Sequence, residues 1–505
     1  MNKTYTVLIS LIVAMGGFLL GFDSAVISGA VNGIRSYFEM SDVQLGFAVG
    51  CVIFGAMFGN MVAGPLADRF GRKRVLIITA VLFTVSALWS ALATTYSTFV
   101  IARIIGGIGV GGAILIAPIY IAEIAPAKLR GSLVSFNQLN IVIGISAAYF
   151  SNYALINISE ESWRYMLGVE TIPAALYFIL LFLVPLSPRW IIKQKGDVAN
   201  AEKTLVKIGG IEFAEQTLAE IKRGKDKKVQ KGSLREFFSS KMSLVIIIAF
   251  GLAFFQQITG INAIFYYAPT IFEQAGGSTD SSLLQAIVVG LTNLVFTIVA
   301  IYLIDRLGRK PLLLIGTAAM TIALSMATIA FYNASYDLSA ANIEKVSDSE
   351  VQAILNQAEG ESFDSQKSFL AFAKNQLNEE QYQNFQQNEL KNFIQINANL
   401  VLVAILLYVA AFAISLGPVM WAMLSEIFPN NLKGLGISVV GFFNSLVSYS
   451  VTQLFPWELS NLGPTLTFAI YGLLALLAFV FVQKYVIETK GKTLEEVEEL
   501  LLKSN

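Results

Sequence analysis

The chain has 505 residues, 55% of them hydrophobic and 14% charged, with a mean hydropathy of +0.64. Ordinary globular domains carry about 25% charged residues, so this composition excludes disorder, a collagen-like fibre and nucleic-acid binding, and argues against a soluble enzyme. Lys+Arg and Asp+Glu both number 35, so no acidic partner is implied, and the absence of His removes the commonest general base and metal ligand. The one cysteine, Cys51, sits in an apolar run and can form neither an internal disulfide nor a cysteine metal cluster. No metal and no cofactor is expected.

A membrane-spanning helix needs about 20 mostly apolar residues. Twelve stretches qualify, near 6–29, 43–66, 75–93, 98–121, 132–155, 165–186, 244–272, 284–304, 311–332, 398–425, 435–456 and 465–486. The first reads as a span and not as a cleavable leader, because Tyr5–Ala30 is about a full span long and lacks the short apolar core with a small-residue cleavage site. Two polar stretches interrupt the series. The stretch 187–243 has 13 basic and 7 acidic residues and helical runs such as Asp197–Ile208. The stretch 334–396 has 10 acidic and 4 basic residues and reads as a surface insertion.

Positive charge orients the chain. With the amino terminus in the cytoplasm, 28 of the 35 Lys and Arg fall inside, counting Lys484 at the inner end of the last span, 6 fall outside, and Arg103 lies deep within a span. Both termini are expected in the cytoplasm.

The string ADRFGRK at 67–73 recurs as IDRLGRK at 304–310, and EIAPAKLRG at 123–131 recurs as EIFPNNLKG at 426–434. The offsets, 237 and 303, differ by 66 residues, close to the length of the stretch 334–396. The expected protein is therefore all-α, with two parallel six-helix halves and a substrate site between them near the midplane. Residues 1–186 form the first half, 187–243 a cytoplasmic linker, 244–490 the second half with its outer insertion, and 491–505 a cytoplasmic tail.

Several strings now carry a resemblance. GPLADRFGRKR (64–74) resembles the loop signature of the major facilitator superfamily. RIIGGIGVGG (103–112), PIYIAEIAPAKLRG (118–131), SPRW (187–190), QQITGIN (256–262), GPVMWAMLSEIFP (417–429) and ETKGKTLEE (488–496) together resemble its sugar porter family. GFDSAVISG (21–29) and SFNQLNIVIG (135–144) look most like the family's bacterial xylose–proton symporters. Leu20, Leu186, Ile487 and Lys433 depart from the family, which usually has Phe, Glu, Pro and Arg there.

The resemblance implies a sugar transporter of the bacterial inner membrane, working by alternating access, with a monosaccharide and a proton as substrates and no enzyme activity. A proton-independent facilitator is the alternative, and a non-transporting sugar sensor is the alternative of another class. The protein is expected to be monomeric in the bilayer. Amides suit sugar hydroxyls because both donate and accept. Gln138, Gln256, Gln257, Asn262, Asn293 and Asn444 lie within the spans, and the family places sugar contacts there. Such amides also serve as interhelical glue. The resemblance makes Trp421 a stacking platform for the sugar ring, and Tyr266 and Tyr267 the outer gate.

Asp23 and Arg103 each lie about five or six residues inside the outer end of a span, roughly 8–9 Å deep at about 1.5 Å per residue. Equal depth permits contact, and an intramembrane charge is by default functional. The family's proton symporters carry Asp at this position, which makes Asp23 and Arg103 the expected coupling pair, with Glu170 a third titratable candidate. At the cytoplasmic ends, Asp68 and Asp305 can cap the next helices. Glu123, Arg130, Glu426, Arg69, Arg72, Arg306 and Arg309 are expected to pair across the two halves as an inner latch. Gly417 and Pro418 permit a break in the tenth span.

Overall fold

The computed structural model describes residues 3–226, 233–429, 431–492 and 496–497. Eleven helices among them are long and apolar enough to cross a membrane. The helix Ala127–Leu155, wedged between spans one and eight, fills the place of the fifth. Spans one to four are Lys3–Tyr37, Asp42–Phe70, Arg72–Leu92 and Tyr96–Ile124. Span six is Ser162–Gly168 plus Thr171–Leu181, and span seven is Ser243–Ile258 plus Ile261–Gln274. Span eight is Thr279–Leu307 and span nine is Arg309–Tyr332. Span ten is Ala398–Ile414 plus Leu416–Ile427. Spans eleven and twelve are Lys433–Asn461 and Gly463–Tyr485.

Local chemistry explains where the helices begin. Ser41 and Thr95 each form a capping box, in which the residue three positions on returns a bond to the cap. The two repeated strings share one glycine for a structural reason. Gly71 and Gly308 have φ of +98° and +95°, so each turn between spans uses the left-handed region that glycine enters freely. Neither turn is capped by its aspartate, contrary to expectation. Asp68 and Asp305 instead pair with Arg72 and Arg309, four residues on, and the carboxylate of Glu488 accepts from the backbone N–H groups of Arg309 and Lys310 at 3.1 and 3.0 Å.

Small residues let spans two and four touch along their backbones. A Cβ on Gly107 would lie 2.2 Å from the Val52 carbonyl oxygen, and one on Gly55 would lie 2.3 Å from that of Ile104. Gly107→Leu is therefore expected to lower the melting temperature of the purified protein by several degrees, since overpacking costs about 1–3 kcal/mol or more. Gly434→Ala is the control, because no atom of the described residues lies within 4 Å of its added Cβ.

The two halves meet at the end away from the Gly71 and Gly308 turns. There Asn32 of span one donates to Glu273 of span seven at 2.7 Å, and the Tyr149 hydroxyl of span five donates to the Phe265 carbonyl at 2.8 Å. Gln453 of span eleven donates to the Val43 carbonyl at 3.0 Å. The stretch 334–396 sits on this same end and is a folded cap with its own core, built from Leu338, Leu355, Phe369, Phe385 and Phe393 among others. It adds to the helical fold a three-stranded antiparallel sheet in the order β2-β1-β3, from β1 (Ser335–Asp337), β2 (Ser362–Phe363) and β3 (Ile394–Gln395). A cavity of about 850 Å³ lies between the cap and the adjoining ends of spans one and seven, walled by Asn32, Arg35, Glu273, Tyr336 and Lys391 among others.

Candidate functional site

Two polar clusters lie inside the apolar body, one in each half. In the first half Asp23 and Arg103 form an ion pair between spans one and four. Both residues are buried, at 3% and 2% exposed. The equal depth read from the sequence is thus realised as contact. The pair is incompletely satisfied: Asp23 Oδ2 and Arg103 Nε have no hydrogen-bond partner. Glu170, at the break between the two pieces of span six, is also buried and lies in the electrostatic field of both. Its Oε1 has no partner either. Cys51 packs beside them as a buried small residue, its thiol facing the Val100 carbonyl one turn from Arg103.

In the second half the amides of spans seven and eleven bond to one another. Gln256 donates to the carbonyls of Leu416 and Gly417 at 2.9 and 3.2 Å, just after the break in span ten. Its own oxygen accepts from Gln257 and Asn444 at 3.2 and 2.9 Å. Gln257 also donates to Asn444 at 3.1 Å, and Asn262 donates to Gln257 at 2.8 Å and to the Ser448 hydroxyl. Asn444 closes the set with a bond of 2.9 Å to the Ala253 carbonyl. Each amide nitrogen thus spends both hydrogens within the protein. Spare acceptor capacity remains on Asn262 Oδ1 and on one lone pair each of Gln257 Oε1 and Asn444 Oδ1, whereas Gln256 Oε1 already accepts twice. Such a cluster receives hydroxyl donors from a ligand without rearranging its own bonds.

Two of the six amides do not join. Asn293 is buried in span eight and makes no hydrogen bond to this network, and Gln138 is exposed on span five in the other half. Ser448 was not singled out from the sequence. Its signal was there, since it lies four residues after Asn444 and so on the same helix face. The span ten break falls at Ser415 (φ −124°, ψ −100°), two residues before the expected Gly417 and Pro418. Trp421 follows it, 42% exposed, near Gly441 of span eleven.

Span seven breaks at Thr259–Gly260, where Gly260 has φ of +96°. The break separates Gln256 and Gln257 from Asn262 and lets all three point into one cluster. A second non-helical point falls at Tyr267. Tyr266 and Tyr267 are both buried, and the Tyr266 hydroxyl reaches Ser24, the neighbour of Asp23. Tyr266 therefore links the amide half to the charged half.

At the opposite end the expected latch takes a different form. Arg72 binds Glu123 at 3.0 Å and Asp68 at 2.9 Å, all within the first half. Arg309 binds Glu426 at 2.8 Å and Asp305 at 3.4 Å, all within the second. These pairs do not cross between halves, because here the halves join at the other end. A hydroxyl completes each set: Ser187 donates to Glu123, and Thr489 donates to Glu426. The SPRW and ETKG strings thus do the same job in the two repeats, which a direct comparison of the halves would have exposed. Arg69 and Arg306 lie over the rings of Phe70 and Tyr302. The side chain of Arg130 lies outside the described residues.

Comparison with known proteins matches residues 9–344 and 383–501 to the family described as "Sugar (and other) transporter", with the unmatched gap inside the cap. The chain is 37% identical to the D-xylose-proton symporter of Escherichia coli, covering 99% of this chain and 96% of that one. It is 34% identical to the arabinose-proton symporter of Bacillus subtilis, with the same coverage. Among solved structures, the inward open conformation of the xylose transporter XylE from E. coli superposes with a TM-score of 0.75 at 35% identity, covering 97% of this chain and 99% of that one. The form of XylE bound to 6-bromo-6-deoxy-D-glucose superposes with a TM-score of 0.72 at 37% identity, covering 99% and 100%. Family match, full-length identity and the two-half helical architecture agree: the chain is a member of the sugar transporter family of the major facilitator superfamily, a family of carriers and not of enzymes.

Proposed function

We propose that the protein imports a pentose or hexose by proton symport through alternating access, as a monomer in a bacterial inner membrane with both termini in the cytoplasm. The observation that carries this reading is the buried Asp23–Arg103 pair, with the Glu170 carboxyl against that of Asp23, where only a proton can join the two. Its relatives at 37% and 34% identity are proton symporters, which supports the same coupling here. The basic loops at the Gly71 and Gly308 turns support a cytoplasmic position for that end. On this orientation the halves are closed outside, and the conformation is inward-facing.

The sugar sits against the amide cluster, with Asn262 and Gln257 accepting from its hydroxyls and Trp421 covering its apolar face. Gln138 meets it from the first half when the halves approach. With Asp23 ionised, Arg103 is held in span four. A proton on the carboxylate cancels its charge and releases Arg103, so spans one and four are free to move with the sugar bound. Exposed ion pairs are worth only about 0–1 kcal/mol each, so cytoplasmic pairs that re-form across the halves in the outward state can break in every cycle.

The test is uptake of a panel of labelled monosaccharides by liposomes holding the purified protein, alkaline inside. Concentration of one sugar against its gradient is expected. Equilibration without accumulation would make the protein a facilitator, and no flux of any sugar would favour a sensor.

The outer cap is proposed to be dispensable for transport. Its entering strand β1 and leaving strand β3 are paired neighbours, Ser335 facing Gln395. Partners in such a pair lie about 5 Å apart, so excising the cap leaves a gap that a short Gly/Ser linker spans. The deletion is expected to insert and transport at a rate within a few-fold of the full chain. A folded, membrane-inserted deletion with no uptake would assign the cap a transport role.

A further inference from the structure

The break in span seven is braced from spans ten, eleven and twelve by groups with no counterpart in the sugar or proton sites. The Tyr408 hydroxyl of span ten donates to the Thr259 carbonyl at 2.8 Å, occupying a main-chain acceptor at the break. The Tyr471 ring of span twelve packs against Gly260, so close that a Cβ there would be 3.1 Å from its Cδ2. The Tyr471 hydroxyl donates to Glu458 Oε2 of span eleven at 2.7 Å. Tyr471 also stacks on Phe455 at 6.3 Å, and Phe455 packs on Tyr267 at 5.2 Å.

One aromatic pair therefore touches both bends of span seven, at Gly260 and at Tyr267. The segment between them carries Asn262 of the amide cluster and Tyr266, which reaches across to Ser24. A short helical piece with a bend at each end has its angle set by what holds the bends, not by its own hydrogen bonds. The left-handed Gly260 permits many angles, and the brace selects one. The Glu458 side chain is suited to this task, because its oxygen accepts the hydroxyl proton that burial would otherwise leave unmatched.

We infer that Tyr471 and Glu458, with Tyr408, are positioning residues that fix the angle of segment 261–267, and through it the place of Asn262 at the sugar. This rests on the proposed sugar site. Tyr471→Phe removes one hydroxyl and keeps the ring. It is expected to raise the dissociation constant for the transported sugar about three- to tenfold, the size of one misplaced hydrogen bond. The maximal rate of sugar–sugar exchange should stay within about twofold. Glu458→Ala should do the same, and the double variant no more than either single one, because both break one bond. Glu458→Gln keeps an acceptor of the same shape and should restore most of the affinity.

Calorimetric titration with sugar, exchange kinetics in liposomes and a thermal melt of each variant read these outcomes. If the unsubstituted protein binds no monosaccharide, the functional reading fails. If it binds, but Tyr471→Phe and Glu458→Ala bind equally well or their effects add, the positioning role alone is overturned. If both variants melt out of the folded state, the contact is structural and the positioning role is likewise overturned.

Discussion

Asp23→Asn is expected to keep sugar binding and sugar–sugar exchange while losing accumulation against a gradient. Asparagine has the shape and the neutrality of the protonated aspartate, so Arg103 is released as it is by the proton, and spans one and four remain free to move with the sugar. It cannot release and rebind a proton, so the two directions of the cycle become equivalent. At one proton per sugar, each pH unit across the membrane supplies about 1.4 kcal/mol, or about tenfold accumulation. The variant should fall to an accumulation ratio of one at an exchange rate within a few-fold of the parent. Asp23→Ala should behave worse, because it leaves Arg103 at 2% exposure without its acceptor. Removing one partner of a buried pair costs about 3–5 kcal/mol, so low yield and a lower melting temperature are expected there. If purified Asp23→Asn in liposomes still concentrates sugar under an imposed pH gradient, coupling lies elsewhere, and Glu170, buried beside the pair, becomes the group to substitute.

Gln256→Ala is expected to abolish sugar binding at practical concentrations, a loss of at least tenfold, and to lower the melting temperature as well. Gln256 holds the amide cluster together. Its two hydrogens tie span seven to the carbonyls of Leu416 and Gly417, and its oxygen serves Gln257 and Asn444. Truncation leaves two amide donors without an acceptor in a site buried to 3%. Each donor left unmatched costs about 1–3 kcal/mol. Gln256→Glu, which keeps the acceptor and loses the donors, should fall between the two. Asn293→Ala is the comparison, since Asn293 stands outside the network and its loss should weaken binding far less. Equal affinity in Gln256→Ala and the unsubstituted protein, by calorimetry, would remove the amide cluster from the sugar site.

The two substitutions draw on different kinds of information. That Asp23 and Arg103 could meet was legible in the chain, because depth in a bilayer is counted in residues from a span end. Both charges lie in apolar runs, and a charge there needs a partner at its own level. That Gln256 is the centre of its cluster was not legible. Six amides in spans looked alike, and which of them converge depends on how each helix is rotated about its axis. Asn293 and Gln138 carry the same chemistry but make no bond to the cluster. Latch partners were misassigned for a related reason. The four acids with Arg72 and Arg309 do form ion pairs, each within its own half, but a chain that alternates between two arrangements has two sets of neighbours, and here the halves join at the other end.

Length and hydropathy alone determine the spans, because insertion into a bilayer is a local sum over about 20 residues. The repeats alone determine the two parallel halves, and the positions of Gly71 and Gly308 follow from the turns the repeats share. The residue types of both sites are likewise written in the chain. Only the tertiary structure decides the rest. Breaks at Gly260 and Ser415 turn separated amides into one cluster, and Glu488 closes a helix that begins about 180 residues before it. The stretch 334–396 gathers its scattered aromatics into a core. In each case the deciding energy lies between side chains far apart along the chain, and no local pattern encodes which of them come within a hydrogen bond of each other.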